Sequence, residues 1–185
     1  MTATTTRIAV LVGSLRADSY NRRLAEALRD RAPEGATVDL VEGLGDLPFY
    51  NEDLDGENAP ASVVALRSAI SAADRVLVVT PEYNGTMPAV LNNAIDWASR
   101  PFGEGAIKGK PVAVIGASGG QYGGKWAHED ARRSARVAGA VVVEDVELAH
   151  AFAWGTDPAA DAEVVEKFIG AVRTLVEWEQ ADAAA

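Results

Sequence analysis

Two stretches of this chain gather hydrogen-bonding and charged side chains where short apolar runs end. In the first, Ile8-Ala9-Val10-Leu11-Val12 gives way at Gly13 to Ser14-Leu15-Arg16-Ala17-Asp18-Ser19-Tyr20-Asn21, and an amphipathic helical pattern follows from Ser19. The first turn of a helix carries unpaired backbone N–H groups and the positive end of the helix dipole, which suits a phosphate. Ser14, Ser19 and Asn21 can add neutral hydrogen bonds, and Arg16 a charge-assisted one. The same residues would also serve a plain strand–turn–helix connection with Ser19 as its N-cap.

The second stretch, Pro81-Glu82-Tyr83-Asn84-Gly85-Thr86, follows the apolar run VLVVT and precedes another helical pattern. Pro81 restricts the backbone, while Gly85 admits conformations closed to other residues. Such a loop can hold backbone N–H and C=O groups in a fixed line. Tyr83 adds a flat amphipathic surface, and Asn84 can both donate and accept. A planar heterocycle with donors and acceptors along one edge would fit against it. A turn with Thr86 as N-cap and Pro88 in the first helical turn accounts for those two residues. It gives no reason for the Glu-Tyr-Asn run.

The elements that must place these stretches alternate. Strands are expected at Arg7–Val12, Thr37–Val41, Arg75–Thr80, Pro111–Gly116 and Ala140–Leu148. Helices are expected at Ser19–Arg31, Ala61–Ala73, Met87–Ser99, Gly124–Ala138 and Asp157–Trp178. VLVVT and VAVIG are apolar on both faces, as parallel strands covered by helices on each side require. Five β/α units of this length predict an α/β fold, a doubly wound parallel sheet, with residues 1–185 as a single domain. Ligands of such sheets sit beyond the carboxyl ends of the strands, where strand order reverses. Residues 13–21, 81–86 and 116–124 all fall there, and their convergence predicts one composite site.

Composition narrows the chemistry. The 185 residues include no cysteine, which excludes disulfides, thiolate metal sites and dithiol redox centres. His128 and His150 lack metal-ligand spacing and read as surface or locally bonded imidazoles, so no metal is expected. Redox chemistry would need an organic cofactor. A net charge of −10 argues against nucleic-acid and anionic-membrane partners. No apolar run approaches the ~20 residues of a membrane span. The Thr-rich residues 1–7 read as a frayed tail rather than a signal peptide, so a cytoplasmic protein is expected.

GSLRADSYNRRLA, then PEYNGTMPAVLNNAIDW, then GASGG, in this order and spacing, resemble the NADPH-dependent FMN reductase family of flavin, quinone, azo-dye and chromate reductases. The similarity runs from about Ile8 to Leu148. It implies a flavodoxin-like five-stranded sheet, FMN as cofactor, NADPH or NADH as electron donor, and a homodimer or homotetramer. By this resemblance Ser14, Arg16, Ser19 and Asn21 match the FMN-phosphate loop, with Tyr20 at its variable position. Pro81, Glu82, Tyr83, Asn84, Gly85 and Thr86 match the loop along the flavin ring, and Ser118 a third flavin-proximal position. Gly119 is expected beside Ser118 in that flavin-proximal loop; it stands where many relatives carry proline, and Lys125-Trp126-Ala127-His128 also departs from the family pattern.

The implied reaction passes hydride from NAD(P)H to the flavin and then electrons to a quinone, free flavin or similar small acceptor. The flavin carries that chemistry, so no catalytic side chain is nominated. The Glu82 carboxylate would oppose negative charge on a bound ring and is expected to point away, into a subunit contact. The homodimer interface is expected along the Met87–Ser99 helix, where Trp97 falls beside the apolar stripe and Val90 widens the exposed apolar surface; by composition Trp97 fits equally a ring folded onto its own subunit. Two nucleotide motifs fail. The glycines before Lys125 mimic a P-loop, but Trp126 stands where Ser or Thr must hold magnesium, and the first strand lacks GxGxxG. The alternative is a flavodoxin-type carrier, which holds FMN without turning over NAD(P)H.

Overall fold

The computed structural model describes residues 5–179. Five strands, β1 (Thr6–Val12), β2 (Ala36–Leu40), β3 (Arg75–Val79), β4 (Pro111–Gly119) and β5 (Val141–Phe152), form one sheet in the order 2-1-3-4-5. Every neighbouring pair is parallel. This is the flavodoxin-like order, and its reversal point lies between β1 and β3. Of the expected tail, residues 1–4 lie outside the described residues, while Thr6 and Arg7 already belong to β1.

Side chains alternate across the pleat, so β1 feeds two cores. Ala9 and Leu11 join the core under helices α2 (Ala61–Ala72), α3 (Ala89–Ala98) and α4 (Lys125–Val137). Ile8, Val10 and Val12 join the opposite one, under α1 (Tyr20–Asp30) and α5 (Ala162–Glu177), where Phe168 is fully buried. α1 and α2 match their expected spans closely because each has a clear apolar stripe. α3 begins two residues later than expected: Pro88, with ψ 144°, stands at its N-cap, and the proline ring disfavours helical backbone at Met87. The helix expected from Asp157 is two pieces: Asp157 caps a 3₁₀ turn at Pro158–Ala160, and Asp161 then caps α5.

β4 and β5 run past their expected ends. Ala117, Ser118 and Gly119 pair with His150, Ala151 and Phe152, so both strands extend into the loop region at the carboxyl edge. Their register slips between Val112 and Val114, which pair with Val142 and Glu147. The buried guanidinium of Arg132 on α4 donates to the Val114 and Val146 carbonyls at that slip, at 3.2 and 2.9 Å. Buried carbonyls that a broken ladder leaves need such a partner.

The three central strands pinch together at Thr80. A Cβ on Gly13 would lie 2.3 Å from Thr80 Oγ1, and one on Gly116 would lie 2.0 Å from the Thr80 carbonyl oxygen. Only glycine permits that approach. It brings the ends of β1, β3 and β4, and the loops they launch, to one point.

Candidate functional site

At that point a cleft opens between the start of α1, the loop after β3 and the extended ends of β4 and β5. Ser14, Arg16, Ser19, Tyr20 and Asn21 line one side; Pro81, Glu82 and Tyr83 line the second. Ala117, Ser118, Gly119, Phe152 and Trp154 complete it. Ten of the thirteen expected site residues therefore meet in one cleft. Asn84, Gly85 and Thr86 do not line it.

Ser19 caps α1 as its sequence position suggests: its Oγ accepts from the Arg22 N–H at 3.2 Å. The hydroxyl proton remains available to a ligand, as do the first-turn N–H groups of Tyr20 and Asn21. The Asn21 side chain has a different task from the expected ligand contact. Buried to 3% exposure, it donates through Nδ2 to the Ala117 carbonyl at 2.7 Å and accepts through Oδ1 from the Ala117 N–H at 2.9 Å. It thus replaces a missing strand for one peptide of β4 and ties that strand to α1, 96 residues away in sequence.

Charge at the loop is partitioned. Arg22 is gripped by Glu26 at 2.9 Å and, through both terminal nitrogens, by Glu42 at 2.6 and 2.8 Å. That guanidinium holds the Glu42 carboxyl below its ordinary range. Arg23 pairs with Asp157 at 3.0 Å and lies over the Tyr20 ring. Arg16 is exposed, bonds only the Asp18 carbonyl at 3.3 Å and meets no carboxylate among the described residues. It is the cation left for an anionic ligand.

The loop after β3 is a tight hairpin turn. Tyr83 and Thr86 exchange both backbone hydrogen bonds at 3.1 Å around Asn84 and Gly85, whose φ angles are +53° and +72°. Positive φ at both central positions defines a type I′ turn, for which Asn-Gly is the preferred pair. The dipeptide was the signal in the sequence. Thr86 is not a helix cap; its Oγ1 donates to Asp130 on α4. Glu82 does turn aside as expected: its Oε2 accepts from the Trp126 and Ala127 N–H groups at 3.0 and 3.2 Å. Those are first-turn donors of α4, so the carboxylate sits on a helix N-terminus and its charge is offset there.

Beneath the cleft, His128 is 1% exposed, with Nε2 3.4 Å from the Thr80 carbonyl oxygen. A carbonyl only accepts, which places the proton on Nε2. Nδ1 is buried without a partner among the described residues, and burial pushes the imidazole down to about 4. Of the two readings, local bonding holds and surface exposure does not. Trp97 takes the second of its two readings. It is fully buried in its own chain, its Nε1–H donates to the Pro48 carbonyl at 2.8 Å, and Tyr50 packs edge-on to it. Phe152 and Trp154 lie beyond the strand end expected at Leu148; the alternation His-Ala-Phe-Ala-Trp is the sequence signal that marks them.

A helix start with free N–H groups, two hydroxyls and an unpaired arginine beside an aromatic-lined slot fits a phosphate joined to a flat heterocycle. The family described as NADPH-dependent FMN reductase matches residues 6–155 of the chain. The chain belongs to that family. A quinone reductase of Pseudomonas putida is 49% identical over 127 residues, which is 69% of this chain and 68% of the relative. A 2-hydroxy-1,4-benzoquinone reductase of a Burkholderia species is 50% identical over 117 residues, 63% of each. Among solved structures, the Paracoccus denitrificans flavoenzyme FerB, an NAD(P)H:(acceptor) oxidoreductase, superposes with a TM-score of 0.83 at 37% identity, covering 94% of this chain and 97% of its own. FMN reductase membership favours an enzyme over a plain electron carrier.

Proposed function

We propose that this FMN reductase, as one flavodoxin-like domain, binds one FMN in the cleft, oxidises NADPH or NADH there, and reduces quinones, free flavin or similar small acceptors. One observation carries the reading: the start of α1, the type I′ turn and the β4–β5 ends meet at the reversal point with an unpaired arginine at the rim. FMN supplies, when bound, the capacity to take hydride from a nicotinamide and hand electrons on. The chain supplies the rest. The Tyr20 and Asn21 N–H groups, the Ser14 and Ser19 hydroxyls and Arg16 hold the phosphate. Pro81 and Tyr83 on one side of the cleft, and Ser118 and Gly119 on another, would border the ring. Asn21 contributes its backbone and uses its side chain to fix Ala117. Holding Glu82 on α4 removes a carboxylate that would otherwise resist electron density on the ring.

Donor and acceptor use the cleft in turn, because the chain has no second redox group. Double-reciprocal plots at several acceptor concentrations are then parallel. Anaerobic NADPH or NADH bleaches the flavin of the holoprotein. A correctly folded holoprotein whose flavin stays yellow with both nucleotides would refute the reductase reading in favour of the carrier.

The assembly we propose is a homodimer through the groove between α3 and α4. Met87 and Ile95 line it, Phe102 and Val137 stand exposed at its edge, and Asp96, Asp130, Arg100 and Arg133 supply both signs of charge. Mixed charge suits a self-complementary two-fold contact. Light scattering that gives one chain's mass at micromolar concentration would refute it. No helix among the described residues is long and apolar enough to cross a membrane. A cytoplasmic setting is proposed because it provides NAD(P)H.

A further inference from the structure

Trp154 is 82% exposed, yet one side of its indole is packed against neighbouring groups. It lies across the end of β4. A Cβ on Gly119 would stand 2.9 Å from both Cε2 and Cζ2 of the indole, so its six-membered ring fills the space of a side chain at position 119. Phe152 supports it at 6.5 Å between ring centroids and is itself edge-on to Tyr20 at 4.9 Å. The turn that carries Trp154 is closed by the Thr156 N–H and Oγ1, both donating to the Ala153 carbonyl. The indole is therefore propped on backbone, with much of its surface open at the cleft.

We propose that Trp154 is the specificity-determining wall for the electron acceptor, selecting planar fused-ring quinones by stacking, and that Gly119 is the vacancy that lets it stand there. The proposal rests on the FMN reductase reading above. The cofactor's phosphate and ring already have partners in α1 and the type I′ turn. Trp154, by contrast, is the outermost aromatic of the cleft, more exposed than Tyr83 at 46%. An acceptor must arrive and leave in every turnover, and an open aromatic face offers reversible contact to a flat ring. A compact inorganic oxidant gains nothing from that face.

The test compares the wild-type holoprotein with Trp154→Ala, Trp154→Phe and Gly119→Ala, using 2-methyl-1,4-naphthoquinone and ferricyanide as acceptors. Trp154→Ala raises the ratio of naphthoquinone KM to ferricyanide KM about 3- to 10-fold, the size of one aromatic contact. Trp154→Phe recovers most of the ratio. Gly119→Ala, whose methyl displaces the indole, moves it the same way. In the two Trp154 variants the FMN dissociation constant, read by flavin fluorescence, shifts much less than the ratio. An unchanged ratio in Trp154→Ala would overturn the proposal while leaving the reductase reading intact. So would an equal loss of FMN affinity, or a change confined to the KM for NAD(P)H. A wild-type holoprotein that oxidised no NAD(P)H would remove the functional reading and this proposal together.

Discussion

Asn21→Ala separates a framework role from a ligand role at the start of α1. The substitution deletes both partners of the Ala117 peptide, an N–H and a C=O in a residue 1% exposed. Each buried group left unpaired costs about 1–3 kcal/mol. The variant should therefore lose roughly 3 kcal/mol, less whatever a water entering the void restores. For a domain of this size that lowers Tm by about 6–12 °C. The assay is a thermal or urea melt of the FMN-free protein, where no ligand contact can contribute. Asn21→Asp should fare no better near neutral pH, since it opposes a carboxylate oxygen to the Ala117 carbonyl. If FMN-free Asn21→Ala melted within a degree of the wild type while its FMN affinity collapsed, the side chain would be a phosphate ligand and the pairing with β4 incidental.

Arg16→Ala should weaken FMN by about 1.5–3 kcal/mol, the range of a charge-assisted bond, and riboflavin far less; equal losses in parallel titrations would mean that Arg16 misses the phosphate. Glu82→Ala should cost about 1 kcal/mol as a lost helix cap, with Glu82→Gln recovering most of it because one oxygen can still accept; a glutamine as damaging as alanine would point to the charge instead. Burial holds folded His128 near 4 against 6.5 for a free imidazole, so the unfolded chain binds a proton that the folded one refuses. This contribution is complete above 6.5 and is lost as pH falls toward 4, by about 3 kcal/mol in all. His128→Leu should flatten that part of the stability–pH curve, and an identical slope in both proteins would show that His128 does not titrate on unfolding.

Local pattern carried most of the fold. β1, β3, α1 and α2 were legible because continuous or periodic apolar residues and a cap at Ser19 are properties of neighbouring residues. The ends of β4 and β5 were not, since Ala117-Ser118-Gly119 becomes strand only by finding its ladder on His150-Ala151-Phe152. The same limit governed the site. Ser19 could be assigned from its place before a helix, whereas Asn21 is decided by Ala117, and Trp97 by the carbonyl of Pro48. Glu82 was expected to turn away on grounds of charge alone; that α4 receives it depends on a packing that no local spacing records.

The pinch at Thr80 divides the cleft into a part that evolution or a protein engineer can edit and a part that neither can. With Gly13 and Gly116 pressed against Thr80, an added methyl at either position has nowhere to go. New acceptors must be accommodated from the rim, and a mutant library built for that purpose would spare positions 13, 80 and 116. It would diversify Tyr83, Gly119 and Trp154, which line the cleft and do not set the spacing of the strands.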